Sequence, residues 1–221
     1  MFTGIVESMG RVSSVQALGG DMRLRIHAPS LDWSDVRLGD SIATNGVCLT
    51  VVALTENNFD ADVSVETLQL TTVKDWASGQ IVNLEKALTP SARLGGHLVS
   101  GHVDGVGEIV ARKSDARSER FRIRAPADLA KYIAHKGSIT VDGTSLTVNA
   151  VNGTVFELNI VPHTLQQTIF ADYQVGTRVN LEVDVIARYL ERLLLGDKAA
   201  HHTTPDSNLT SAFLAEHGFL K

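Results

Sequence analysis

Gly39 to Thr50 reads GDSIATNGVCLT, and Lys136 to Thr147 reads KGSITVDGTSLT. Sliding the chain against itself by about 97 positions overlays the two without a gap, and between positions 39 and 88 about 18 of roughly 50 pairs are identical. Asn83-Leu84-Glu85 then meets Asn180-Leu181-Glu182, Thr67-Leu68-Gln69 meets Thr164-Leu165-Gln166, and Ala28-Pro29 meets Ala125-Pro126. The chain is one module written twice. Within each copy the quoted stretch is a hairpin: Asn45-Gly46 and Asp142-Gly143 sit between apolar runs, and such pairs supply the positive φ that a tight two-residue turn requires.

Outward from the hairpin, Met22, Leu24 and Ile26 alternate with Arg23, Arg25 and His27, the period of a half-buried strand. Phe121 and Ile123 repeat the pattern against Arg120, Arg122 and Arg124. Ile5 to Val15, Phe59 to Val65 and Ile81 to Leu88 read as further strands, and Glu66 to Trp76 as weakly helical. Each copy therefore offers about six short strands with glycine turns, the profile of a small antiparallel barrel rather than a parallel α/β sheet. The expected fold is mainly all-β: two tandem six-stranded barrels over 1–96 and 97–183, then a helix over 184–196. Val185, Ile186, Tyr189, Leu190, Leu193 and Leu194 give that helix an apolar stripe fit for a barrel flank or a neighbouring subunit. Residues 197–221 read as a mobile tail with a short amphipathic piece from Leu209 to Phe219.

Composition narrows the function. Of 221 residues, 43% are hydrophobic and 20% charged, as in ordinary globular domains, and the net charge of -5 argues against a nucleic-acid partner. Met1 to Val12 lacks the pattern of a signal peptide, and no apolar run reaches membrane-spanning length, so a cytoplasmic protein without a membrane partner is expected. A single cysteine excludes an internal disulfide and a cysteine-based zinc site.

The chemistry should lie where the copies differ. Position by position, Cys48 matches Ser145, Ile5 matches His102, Gly39 matches Lys136, and Ala87 matches Asp184. Shared residues such as Ser41 with Ser138 and Thr50 with Thr147 maintain the fold or bind two like ligands. Each differing residue also has a plainer reading. Cys48 suits a small buried apolar position, Asp184 suits a helix N-cap, and His97 and His102 lie in a glycine-rich loop with no third ligand spaced for a metal.

MFTGIVE, NGVCLTV, ETL, GGHLVSGHVDG, KGS, DGTSLTV and VNLEVD, in unbroken order from Met1 to about Leu195, resemble the alpha-chain type of riboflavin synthase. The resemblance implies Greek-key barrels that each bind one 6,7-dimethyl-8-ribityllumazine. It implies a transferase of riboflavin biosynthesis that moves a four-carbon unit between two such molecules, giving riboflavin and 5-amino-6-(D-ribitylamino)uracil without cofactor or metal. It implies a homotrimer joined by the C-terminal helix, with lumazine synthase a candidate partner. By position, one pteridine would be held near Gly4, Ile5, Val6, Cys48, Leu49, Thr50, Asp62, Val63, Ser64, Val65, Glu66 and Thr67. The other would be held near Gly101, His102, Val103, Lys136, Ser145, Leu146, Thr147, Asn159, Ile160, Val161, Pro162, His163 and Thr164. His102 is the expected base or proton shuttle. Cys48, Ser41, Ser145 or Asp184 would deliver or activate a nucleophile, and His97 and Lys136 would stabilise intermediates. A non-catalytic lumazine or flavin carrier with the same barrels is the alternative, and a degraded second half would mark it. A flavin reductase would need a Gly-rich nicotinamide-binding unit, which the sequence lacks.

Overall fold

A computed structural model describes residues 1–200 of the chain. They fall into two compact units, Met1–Val185 and a C-terminal unit beginning at Ile186. The first unit carries β1 (Ser8–Leu18), β2 (Asp21–His27), β3 (Ser41–Thr44), β4 (Val47–Thr55), β5 (Asn58–Val63), α1 (Val65–Leu70) and β6 (Ile81–Lys86). The module then repeats as β7 (Gly105–Asp115), β8 (Ser118–Arg124), β9 (Ser138–Val141), β10 (Thr144–Asn152), β11 (Val155–Ile160), α2 (Pro162–Gln167) and β12 (Arg178–Val183). Each set closes into an antiparallel barrel, in the orders β1-β2-β5-β4-β3-β6 and β7-β8-β11-β10-β9-β12. Three hairpin-linked strands followed by a fourth that returns beside the first make the Greek key: β3-β4-β5, with β6 beside β3.

The alternation in β2 sorts its side chains. Leu24 and Ile26 are fully buried, while Arg23 and Arg25 project outward and pair with Asp62 and Asp60 on β5 at 2.6 and 2.7 Å. Each barrel fills its interior with its own apolar cluster, around Phe59 and Leu84 in one and Phe121 and Phe156 in the other. Register shifts fall at Val12/Ser14 and Val51/Ala53, and again at Ile109/Ala111 and Val148/Ala150. Such bulges bend long strands sharply enough to close a six-stranded sheet.

The hairpin turns do a second job. Asn45, Gly46, Asp142 and Gly143 adopt φ of 45°, 77°, 42° and 78°, and the two turns abut. A Cβ on Gly46 would lie 2.8 Å from the Gly143 nitrogen, and one on Gly143 would lie 2.7 Å from the Gly46 nitrogen. Asparagines lock the contact reciprocally. Asn83 Nδ2 donates to the Asp142 carbonyl and Asn180 Nδ2 to the Asn45 carbonyl, both at 2.9 Å. Their Oδ1 atoms accept from Ile169 N at 3.0 Å and Thr72 N at 2.8 Å. Both asparagines open the repeated Asn-Leu-Glu, and they are buried where the barrels meet, while Leu84 and Leu181 turn into the two cores.

Some element ends differ from expectation. β5 stops at Val63 because Ser64 caps α1, its hydroxyl accepting from Thr67 N at 3.3 Å. The helical stretch after it is broken, α1 being followed by a 3-10 turn at Thr72–Asp75. β1 begins at Ser8, later than Ile5: the Glu7 N–H still donates to the Leu84 carbonyl on β6 at 2.8 Å, but the chain before it leaves the ladder and the Gly4 carbonyl meets Ser145 of the other barrel. In the C-terminal unit, α3 (Val185–Leu194) is amphipathic, with Leu193 and Leu194 77% and 79% exposed. A 3-10 turn at Gly196–Ala200 follows. The rest of the expected tail, with the amphipathic piece from Leu209 to Phe219, lies outside the described residues. No helix among the described residues is long and apolar enough to cross a membrane.

Candidate active site

A lead segment precedes each barrel's first long strand, and each crosses to the other barrel. Phe2 and Val99 pair as an antiparallel bridge, their N–H···O bonds 2.7 and 3.1 Å long. Beyond it, the Gly4 carbonyl accepts from Ser145 N on β10 at 2.7 Å, and the Gly101 carbonyl accepts from Cys48 N on β4 at 2.8 Å. Both glycines have positive φ, 75° and 80°, and a Cβ on either would lie 2.6 or 2.7 Å from the Cβ of Ser145 or Cys48. Only glycine fits so close an approach. The crossing therefore sits at the pair in which the copies diverge.

This corrects the expected grouping. Gly101, His102 and Val103 belong with Cys48 of the first barrel, and Gly4 with Ser145 of the second. A cleft of about 210 Å³ in the first barrel is lined by Val47, Cys48, Glu66, Thr67, Leu70, Thr71, Gly101, His102 and Val103. Cys48 is half-buried and His102 exposed at its rim. Thr67 is steadied by the Ser64 hydroxyl at 3.1 Å, and Val65 opens α1 beside it. Leu49 and Val63 point into the core and Asp62 outward to Arg23, so none of the three side chains lines this cleft; Thr50 is exposed.

Around Ser145 the chemistry differs. Its Oγ lies 2.7 Å from His97 Nδ1, and His97 Nε2 lies 3.2 Å from Thr140 Oγ1. Burial pushes the His97 pKa down, and the charge on Asp184 pulls it partly back. The imidazole is thus neutral at pH 7. With its proton on Nε2 it donates to Thr140 and can accept the Ser145 proton at Nδ1, the arrangement of a base beside a hydroxyl nucleophile. Ile5, at the place His102 takes in the other site, is 48% exposed, and Val6 beside it is half-buried. Asn159 Oδ1 is buried and meets no hydrogen-bond donor among the described residues. Left so, it costs about 1–3 kcal/mol. Leu146 and Thr164 are half-buried, Thr147 and His163 exposed, and Ile160 lies in the core. Val161 and Pro162 open α2.

Two expected residues stand apart. Ser41 faces Thr50 across the β3–β4 rung and lines a different cleft, of about 370 Å³, with Asp35, Arg37, Asp40, Lys86 and Leu88 among its other walls. Lys136 is exposed in the turn before β9 with φ of 64°, where its counterpart Gly39 has 90°. Its N–H donates to the Val148 carbonyl at 2.8 Å.

Sequence reasoning missed the carboxylates that hold the lead segments. Glu85 Oε1 accepts from Thr3 N at 2.6 Å and Thr3 Oγ1 at 2.7 Å, and its Oε2 accepts from Gly4 N at 2.9 Å. Glu182 repeats this with Ser100 N, Ser100 Oγ and Gly101 N at 2.6, 2.7 and 3.0 Å. Burial raises both pKa values, while the bonds they accept pull the other way. The repeated Asn-Leu-Glu was the available signal. Among the described residues no three His, Cys, Asp or Glu gather so as to hold a metal ion.

The lumazine binding domain matches the chain twice, over residues 3–87 and 100–184, so fold and site together define a protein of paired lumazine-binding barrels. The riboflavin synthase of Photobacterium phosphoreum is 51% identical over 220 residues, 100% of both chains. That of Bacillus subtilis (strain 168) is 41% identical over 219 residues, 99% of this chain and 100% of its own. A crystal structure of LumP complexed with riboflavin aligns with a TM-score of 0.77 at 24% identity, over 83% of this chain and 99% of LumP, a likeness of fold. The chain belongs to the riboflavin synthase family.

Proposed function

We propose that each barrel holds one 6,7-dimethyl-8-ribityllumazine and that the two sites play donor and acceptor because Cys48 and Ser145 have different neighbours. The activity is riboflavin synthesis. Two identical substrates exchange a four-carbon unit, and riboflavin and 5-amino-6-(D-ribitylamino)uracil together contain all their atoms, so no oxidant or cofactor enters the balance.

The proton on the 7-methyl group of the lumazine is acidic because its anion delocalises into the fused ring. The protein's main task is therefore to hold two rings face to face. Converting that encounter into a near-unimolecular step is worth roughly 7–11 kcal/mol. His102, exposed at the first cleft, takes and returns the methyl proton, a duty that suits imidazole at neutral pH. Cys48 and Ser145 are the nucleophile candidates for C7 of the acceptor, with Ser145 activated by neutral His97 and Asp184 biasing that imidazole. Lys136 and Ser41 reach the reaction only if a neighbouring subunit brings its barrel against this one. In that arrangement the first barrel of one subunit faces the second barrel of the next, in a homotrimer joined through α3. The bare leucines of α3 support the trimer; cytoplasmic location rests on composition, and association with lumazine synthase on resemblance.

The observation that carries this reading is the short contact of Ser145 with His97 at the place where the other barrel has Cys48. Anaerobic incubation with the dimethyl-ribityllumazine alone tests it. Riboflavin and the pyrimidine should appear in equal amounts, and a ligand bound without turnover would make the protein a carrier instead.

A further inference from the structure

The first barrel's cleft owes its rim to a carboxylate in the second barrel. Glu182, on β12, is 4% exposed and accepts all its bonds from Ser100 and Gly101. Ser100 Oγ in turn accepts from His102 N at 3.2 Å, and the Gly101 carbonyl receives Cys48 N. One buried group thus fixes three consecutive residues, 100 to 102, above the thiol. Glu85, 5% exposed, does the same from the first barrel for Thr3 and Gly4 above Ser145. There Ile5 N donates to Thr3 Oγ1 at 3.1 Å.

We propose that Glu182 is a positioning residue for the Cys48–His102 site and Glu85 for the Ser145 site, each acting on the barrel it does not belong to. The assignment rests on the reading of these places as the two lumazine sites. A carboxylate suits the task because it only accepts, and each lead segment offers it two backbone N–H groups and a hydroxyl. An amide in its place keeps one acceptor oxygen and turns an NH2 against the glycine N–H, so the segment loosens without a loss of volume.

The two carboxylates are matched in burial and bonding, so each is the other's control. Cys48 is the chain's one cysteine, and Gly101 lies against its Cβ, so alkylation of the native full chain by iodoacetamide reports the first site alone. Glu182→Gln should speed that reaction by roughly tenfold, the scale of one charge-assisted hydrogen bond, while Glu85→Gln, at a residue that neighbours Cys48 only through Ala43 and bonds the other lead segment, should raise it by a clearly smaller factor. Equal rates in both variants, or wild-type reactivity in Glu182→Gln, would overturn the proposal. Should Glu182→Gln not fold, Ser100→Ala removes one of the three donors and should raise the rate by a smaller factor; an unchanged rate there counts against it equally. Titration with 6,7-dimethyl-8-ribityllumazine separates the two claims. If the wild type binds two ligands per chain, Glu182→Gln and Glu85→Gln should each weaken a different one, and weakening of the same one refutes the assignment. A wild type that binds none refutes the reading of the sites, while the alkylation contrast still decides whether Glu182 holds the rim.

Discussion

Asp142 is where the barrel contact is most exposed to pH. It is fully enclosed, its Oδ1 accepts from Asn180 N at 2.9 Å, and Tyr173 O–H donates to Oδ2. Burial lifts its pKa from 3.8 to about 7 against the pull of those bonds, and raises the Tyr173 phenol as well. The folded state therefore holds the proton more tightly than the unfolded chain, and stability falls as pH climbs from about 4 to about 7. Each pH unit in that window weighs about 1.4 kcal/mol, so by pH 8 the ionised carboxylate costs about 4 kcal/mol. Asp142→Asn removes the titration and keeps the bonds: its Oδ1 accepts from Asn180, as Asn45 Oδ1 accepts from Asn83 N at 2.7 Å across the pseudo-twofold, and its NH2 can donate to the Tyr173 oxygen. Thermal or urea unfolding of both proteins at fixed concentration, from pH 4 to pH 8.5, checks this. The variant should gain on the wild type by about 4 kcal/mol across the range, or roughly 8–16 °C in Tm for a chain of this size. Glu7, Glu85 and Glu182 also have raised pKa values, so the difference curve carries the test. Parallel curves for the two proteins would refute the account.

His102→Gln should lower turnover by roughly 10- to 1,000-fold while the lumazine still binds, as when one acid–base group is lost; unchanged steady-state turnover removes His102 from the mechanism. Cys48→Ser should reduce rate more than affinity measured by ligand fluorescence, and equal losses would make Cys48 a packing residue. Gly46→Ala should destabilise by about 2–3 kcal/mol, because its φ of 77° and a contact of 2.8 Å with Gly143 both oppose a Cβ. Gly39→Ala, at φ of 90° with nothing within 4 Å, should cost about 1 kcal/mol, and denaturant midpoints for the pair test whether the turn contact matters.

The barrels were legible because their signals are local. Asn45-Gly46 and Asp142-Gly143 dictate hairpins, and the alternation in β2 and β8 assigns inner and outer faces over a few residues. The partnership of Gly4 with Ser145, and of Gly101 with Cys48, leaves no such trace, since no periodicity records which distant backbone a short segment will meet. The strand expected from Ile5 to Val15 also starts too early, for Ile5 to Glu7 lie outside β1, which runs from Ser8 to Leu18. Glu85 and Glu182 were passed over for a related reason. In a strand with one face in water a glutamate following leucine points to solvent, but β6 and β12 are covered on both faces, so the rule of alternation fails where the second barrel arrives. His97 was marked by its glycine-rich surroundings, yet its hydroxyl partner, far along the chain, needed the fold to appear.

The crossing of the lead segments also means that the boundary drawn near residue 96 cuts through working parts. A fragment ending there would carry Cys48 but not its glycine cover, and the complementary fragment would carry Ser145 without Gly4. Each half, made alone, has a donor strand with nothing to lend it to, and an acceptor edge that only a twin could fill. Dimerisation of such a half would restore both, which is the geometry of two loose modules trading their first residues before a linker tied them into one polypeptide.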